Sequence, residues 1–326
     1  MAEVLVAGTY ESKALLEQIA AELSGRGMRV TEFYGSEFGS LDPAAWQTAE
    51  ILVCYGLPCG HAEMTAATKL RAIVSPTIGY EWIDEDAASK LGILVVNGAV
   101  PENHESLAEA TVLLILTTLY DLPGAQSELR HEKGTRIRPR MLKGKIVGLI
   151  GFGNIAQGVV ARLQGWGATF LVHRRSREQT DERVSFVSLE TLLEDSDIVV
   201  VVASLNDSSR HLIDSAALDR MKQGAILINV ARGGIIDEVS LAKSLADSRL
   251  SMVALDVFET EPLPDDSPLR AFQNAILTPH SIGHTVESLA AIPRASVENV
   301  LTLSRGEVPP STRNKHIVTA WLKRAR

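Results

Sequence analysis

Residues 145–167 read KIVGLIGFGNIAQGVVARLQGWG, and the fold turns on how this stretch is read. An apolar strand, KIVGLI, runs into Gly151, Phe152, Gly153, Asn154, Ile155 and Ala156, and a helical pattern follows. Gly151 allows a tight turn, Gly153 lets a pyrophosphate approach the backbone, and Ala156 is small enough for close helix–strand contact. The free N–H groups and dipole of the new helix favour phosphate. A glycine turn alone is common where nothing binds. Here the strand before it, the helix after it and a further apolar run at 169–173 are all present, which makes it a dinucleotide-binding turn.

Working outward, the same alternation recurs along the chain. EVLVAG, ILVCYG, LRAIVSP and GILVVN precede the turn; TFLVHR, DIVVVVAS, AILINV, MVALDVF and NAILTPH follow it. Each is short and rich in Val, Ile and Leu, the pattern of strands buried on both faces. Helical patterns such as SKALLEQIAAELSGRG and EVSLAKSLADSRL lie between them, so the class is α/β with parallel sheets covered by helices. Two sets of strands imply two α/β domains, and 326 residues suffice for two cores. The helix ESLAEATVLLILTTLY joins them, and GAQSELRHEKGTRIRPRMLKG reads as a long loop before the second set. After about residue 284 the pattern gives one helix and a tail.

Composition narrows the function. A net charge of −8 argues against general nucleic-acid binding. The N-terminus reads as a first strand rather than a signal peptide. The most apolar helix, near 107–120, is shorter than the roughly 20 residues a bilayer requires. A soluble cytoplasmic protein is expected, with no membrane and no nucleic-acid partner. Cys54 sits in an apolar run, and neither it nor Cys59 has the His/Cys spacing of a metal site, so no metal is expected.

The second strand of a dinucleotide fold normally ends in an acidic residue that binds the adenine ribose. Here that point carries His173, Arg174, Arg175 and Ser176. A carboxylate would repel a 2′-phosphate, whereas a guanidinium pairs with it. The expectation is NADP preferred, with NAD possible; the bland alternative is a solvated basic loop.

Three further stretches carry a resemblance. NVARGGIIDE (229–238), LDVFETEP (255–262) and LTPHSIGHT (277–285), in this order after the glycine turn, resemble the D-2-hydroxyacid dehydrogenase family. SPTIGYEWIDEDAASKLGILVVNGAVPENHESLAEA is similar to that family's substrate loop and helix start, so the likeness runs from about 70 to 310. It implies reversible hydride transfer between a nicotinamide and a small 2-keto or 2-hydroxy acid such as glyoxylate or hydroxypyruvate. It also implies a Rossmann-type doubly wound cofactor domain at 101–283. A flavodoxin-like substrate domain would be made of 1–100 and 284–326.

The chemistry suits the residues carried over. Arg232 can bind the substrate carboxylate and polarise its ketone with one planar fork. His280 can deliver the proton as hydride reaches carbon, and Glu261 would hold the imidazole charged for that step. Asp256, at the end of MVALDVF, would face the nicotinamide carboxamide. Val230, Ala231, Ala203, Ser204, Ser209 and Gly283 would line the cofactor. Backbone N–H groups near Ile78 and Gly79, with Asn103, would meet the substrate. The chain departs from the family where it has TIGYE for G-A-G-V-D, leaving Tyr80 and Trp82 either in the pocket or in domain packing. It departs again at Ser204, which replaces a Pro. Neither departure removes a catalytic group. Formate dehydrogenases pair the His with Gln where this chain has Glu261. A phosphoglycerate dehydrogenase-like enzyme and a non-catalytic dinucleotide sensor are the remaining alternatives. The apolar helix 103–120 would pack against a partner, the family being commonly homodimeric, or be buried between the domains.

Overall fold

The structure is a computed structural model and describes residues 2–130, 138–175 and 180–324. Ser176 and Arg177 lie outside those residues. The chain forms two compact units, Met1–Asn103 with Val286–Arg326, and His104–Thr285.

The first unit runs β1 (Glu3–Gly8), α1 (Lys13–Gly25), β2 (Arg29–Tyr34), α2 (Pro43–Thr48), β3 (Ile51–Tyr55), α3 (His61–Ala66), β4 (Ala72–Val74), α4 (Glu85–Leu91) and β5 (Leu94–Val96). Its sheet is parallel in the order β2-β1-β3-β4-β5, the flavodoxin-like order. The sequence pattern missed β2 for a physical reason. RVTEFY is an edge strand with no buried residue, so it lacks the apolar signature of its neighbours.

α5 (Pro101–Tyr120) begins at the end of the first unit and continues into the second. There follow α6 (Leu122–Leu129), β6 (Ile146–Ile150), α7 (Asn154–Leu163), β7 (Thr169–His173), β8 (Ser185–Phe186), α8 (Leu189–Asp195), β9 (Ile198–Val201), α9 (Ser215–Arg220), β10 (Ala225–Asn229), α10 (Glu238–Ala246), β11 (Leu250–Leu255) and β12 (Ala275–Leu277). The strands form one parallel sheet, β12-β11-β10-β9-β6-β7-β8. Numbered within the unit this is 3-2-1-4-5-6 with one strand added, the doubly wound Rossmann order. The stretch expected as a long loop instead opens with α6. Pro123 lies in its first turn, where a missing N–H costs nothing, and Asp121 caps Gly124 N–H at 3.1 Å.

Alternating residues explain why the central strands read as unbroken apolar runs. Val199, Val201, Leu227 and Leu255 pack with α8, α9 and α10 on one face. Ile198, Val200, Ile226, Ile228 and Ala254 pack with α5 and α7 on the other. The chain then returns to the first unit in α11 (Val286–Ser304) and α12 (Val318–Arg324). The apolar pattern did not reveal α12, which lies where only a tail was expected. It is anchored by buried Trp321, whose Nε1–H donates to Arg71 O at 2.8 Å. Among the described residues no single helix is long and apolar enough to cross a membrane.

The sheet order of the second unit reverses between β6 and β9, and the glycine turn leaves β6 at that point. Gly151 has φ +101°, and a Cβ there would sit 2.8 Å from Val202 O and 2.9 Å from Ala203 Cα. Both the backbone conformation and the space demand glycine. Gly151→Ala should therefore lower stability by about 1–3 kcal/mol, the scale of a strained residue or an overpacked contact. An unchanged melting temperature would show that the turn relaxes freely.

Candidate active site

Parallel pairing sets the end of β11 between the ends of β10 and β12. Asn229 of β10 lies opposite Leu255, and Leu255 lies opposite Leu277 of β12. The three quoted motifs leave the sheet at these points, at the carboxyl ends of strands, where ligands of open α/β sheets bind.

After β10, buried Asn229 braces the turn. Its Oδ1 accepts from Ala231 N–H at 3.0 Å, and its amide donates to Arg232 O at 2.9 Å. A Cβ at Gly233 would overlap the Phe258 backbone, so this glycine lets the Arg232 turn lie directly on the turn after β11. Val230 and Ala231 are buried in this corner, while Arg232 is half-buried.

After β11, Asp256 is only 3% exposed. Its Oδ1 accepts from the Thr278 hydroxyl at 2.7 Å, Ser281 N–H at 3.0 Å and Ile282 N–H at 3.1 Å. Its backbone carbonyl accepts from His280 N–H at 2.7 Å. The carboxylate thus organises the segment that carries His280, which adopts φ +52°.

His280 Nδ1 lies 2.7 Å from Glu261 Oε2, and Glu261 Oε1 accepts from Phe258 N–H at 3.0 Å. Both carboxylate oxygens are held, and Nε2 remains on the opposite edge of the ring. Burial alone would raise the Glu261 carboxyl. The bonds from His280 and Phe258 N–H, with the charges of His280 and Arg232, outweigh burial and bring it below its ordinary value. His284 is pushed down, first by burial and then by the neighbouring His280.

A reciprocal clasp ties the two turns together. Glu259 Oε1 accepts from Glu238 N–H at 3.0 Å, and Glu238 Oε1 accepts from Glu259 N–H at 2.6 Å. His211 Nε2 lies 3.2 Å from Glu259 Oε1. Burial raises the Glu238 carboxyl; the Glu259 amide opposes this, and the charges of Glu259 and Glu261 add to it. Sequence reasoning missed Asn229, Thr278, His211, Glu238 and Glu259. All but His211 lie inside the quoted motifs, but a motif does not say what a residue bonds: Asn229 braces its own turn, and the other four meet residues of other turns.

The glycine turn fits a dinucleotide phosphate. A Cβ on Gly153 would meet no atom within 4 Å, so space lies open over the start of α7, and buried Ala156 packs beneath. Phe152 is buried, Ile155 is packed against the core, and Asn154 Nδ2 lies 3.2 Å from His104 Nδ1. Ala203 backs Gly151. Ser209 is buried, its hydroxyl spent inside its own turn on Ser204 O at 2.8 Å and Asn206 N–H at 2.8 Å. Gly283 O accepts from Ser106 Oγ at 2.7 Å. At the end of β7, Arg174 is half-buried and Arg175 exposed, with Arg175 Nη1 3.5 Å from Ser208 Oγ. His173 Nδ1 is 3.4 Å from Val187 O.

In the first unit, Ile78 O accepts from Asn97 Nδ2 at 2.9 Å, and Gly79 O accepts from Ser75 Oγ at 2.7 Å. In a trans peptide the carbonyl and the next N–H point opposite ways, so the Gly79 and Tyr80 amides face away from these anchors. Asn103 Nδ2 donates to Gly98 O at 3.4 Å. Tyr80 and Trp82 pack against the unit's core, with Tyr80 OH 2.8 Å from Glu85 Oε2 and Trp82 Nε1–H donating to Cys54 O.

Residues 112–281 match the family model "D-isomer specific 2-hydroxyacid dehydrogenase, NAD binding domain". The chain is 35% identical over 269 residues to a glyoxylate reductase of Aeropyrum pernix, covering 78% of this chain and 79% of that one. Among solved structures it is similar to a protein of Thermus thermophilus, with 29% identity, TM-score 0.78, and 95% and 99% of the two chains covered. D-Lactate dehydrogenase from Aquifex aeolicus, complexed with NAD and lactic acid, is 25% identical with TM-score 0.78, covering 93% and 96%. The chain belongs to the D-isomer-specific 2-hydroxyacid dehydrogenases. It is an oxidoreductase that uses a nicotinamide dinucleotide and acts on small 2-hydroxy or 2-keto acids.

A carboxyl held below its ordinary value contributes stability that is full above the unfolded value and is lost as pH falls through the folded one. The gap in melting temperature between the native chain and Glu261→Gln should therefore be full near pH 6 and close on acidification below about 4.3, the ordinary glutamate value. A gap constant down to about pH 3.5 would show that the Glu261 carboxyl is not held below its ordinary value.

Proposed function

We propose that the protein is an NADP(H)-preferring reductase of small 2-keto acids of the glyoxylate or hydroxypyruvate type. The observation that carries this reading is the His280–Glu261 pair, 2.7 Å apart, on the turns after β11 and β12 and close enough to Arg232 for its charge to act on Glu261. The Arg232 fork binds the substrate carboxylate and draws electron density from the ketone. His280 gives Glu261 its Nδ1 proton as a hydrogen bond and delivers the Nε2 proton to the ketone oxygen. Bound NADPH supplies the hydride. The Ile78 and Gly79 amides and Asn103 are assigned to the substrate. The open cradle at Gly151 and Gly153, with Asp256, Val230, Ala231, Ala203, Ser204, Ser209 and Gly283, is assigned to the cofactor. Arg174 and Arg175, with no carboxylate at the end of β7, support the 2′-phosphate preference.

The test is a panel of 2-keto acids assayed with NADPH and NADH side by side. Turnover of glyoxylate or hydroxypyruvate, faster with NADPH, is expected. No turnover with either nicotinamide would overturn the reading, and equal use of both would remove the NADP preference. His280→Ala should slow ketone reduction by about 10²-fold or more. A rate near that of the unaltered chain would remove His280 from proton delivery.

The same reading includes a homodimer in the cytoplasm. Leu113, 57% exposed, surrounds a hollow of about 570 Å³ together with Tyr120, Leu122, Met141 and Trp166, an apolar patch of the kind that packs against a partner. The cytoplasmic part is in keeping with the free thiols of Cys54 and Cys59. Leu113→Asp should convert the dimer to a monomer in light scattering. A native chain that is already monomeric would overturn the dimer.

A further inference from the structure

β8 consists of only two residues at the edge of the sheet, joined to β7 where Val172 pairs with Phe186. Phe186 is 37% exposed, although its ring is large and apolar. The Arg174 guanidinium carbon lies 4.4 Å from the centre of that ring. Phe186 also meets the glycine turn: its ring and that of Phe152 are edge-to-face, centroids 5.5 Å apart at 88°. Phe152, Phe186 and Arg174 therefore form a continuous line from the phosphate cradle to the end of β7.

The chemistry of this line is specific. An arginine side chain carries about 2 kcal/mol of rotamer entropy, so an unsupported guanidinium at a strand end samples many positions. A ring 4.4 Å from the guanidinium carbon restricts that freedom and attracts the cation through its quadrupole. A cation–π contact acts through the charge and is not a hydrogen bond, so it does not compete with a phosphate for N–H donors. Phe152 in turn restrains the ring.

We infer that Phe186 is a positioning residue for 2′-phosphate recognition. It holds Arg174 in the place where the guanidinium meets the phosphate, and so sets the preference for NADP(H) over NAD(H). The inference rests on the NADP(H) reading above, and the experiment separates the two.

The test is calorimetric binding of 2′,5′-ADP and of 5′-AMP, which differ only in the 2′-phosphate, to the native chain, Phe186→Leu, Phe186→Met, Phe186→Tyr, Arg174→Ala and the double variant Arg174→Ala/Phe186→Leu. The native chain should prefer 2′,5′-ADP. Phe186→Leu and Phe186→Met should weaken 2′,5′-ADP by about two- to fivefold, the size of an exposed cation–π contact, and leave 5′-AMP unchanged. Phe186→Tyr should restore the affinity. In the Arg174→Ala background, Phe186→Leu should have no further effect, an outcome that a purely structural role would not give. In NADPH turnover the loss should appear in KM and not in kcat. Equal weakening of both nucleotides would make Phe186 an adenine seat or a packing residue and overturn the inference. Unchanged 2′,5′-ADP binding in Phe186→Leu, with Arg174→Ala still deleterious, would also overturn it and leave the NADP(H) reading standing. A native chain that binds the two nucleotides equally would overturn both.

Discussion

The candidate catalytic geometry depends on one buried carboxylate. Asp256 sits at the end of β11 with almost no exposure, and an unpaired charge there would cost several kcal/mol. The cost is offset because one oxygen collects a hydroxyl and two backbone N–H groups from a single segment, 278–282. Those bonds determine the path of that segment, and its path determines where His280 stands. The left-handed backbone of His280 is a local strain that the Asp256 anchor, at both its side chain and its carbonyl, is placed to sustain.

A second set of constraints brings the other candidate groups to the same place. Parallel register puts Asn229, Leu255 and Leu277 in neighbouring positions, so three turns emerge together. Gly233 lets two of them touch, and the Glu238–Glu259 clasp joins them again farther out. Glu261 is then held at both oxygens, one by the turn that carries it and one by His280. A residue placed in this way needs little reorganisation when charge moves, the condition under which electrostatic catalysis is effective.

Much of this was legible in the sequence, and the limits have physical causes. The central strands announced themselves because both faces are buried, whereas β2 and β8 lie on edges and carry exposed residues. α6 was hidden because Pro123 and Gly124 look like breakers, although proline in a first turn is favourable. Arg232, Glu261 and His280 could be named because they fall within motifs. Asn229 and Thr278 fall within the same motifs, but nothing in the pattern says that Asn229 braces its own turn or that the Thr278 hydroxyl donates to Asp256 on the neighbouring one. For Tyr80 and Trp82 the sequence left pocket and domain packing open, and their described contacts are with the core and with Glu85, Arg313 and Cys54.

Charge explains why local geometry matters so much at the end of β7. The chain carries a net charge of −8, so at distances beyond a Debye length, about 8 Å at physiological salt, it offers an anionic cofactor no attraction. Any preference between dinucleotides that differ by one phosphate must arise at contact range. There, a guanidinium free to swing would surrender part of each hydrogen bond to ordering, whereas one already seated on a ring would not. On the NADP(H) reading, two residues of edge strand suffice, because β8 brings Phe186 to Arg174 and against the glycine turn at once.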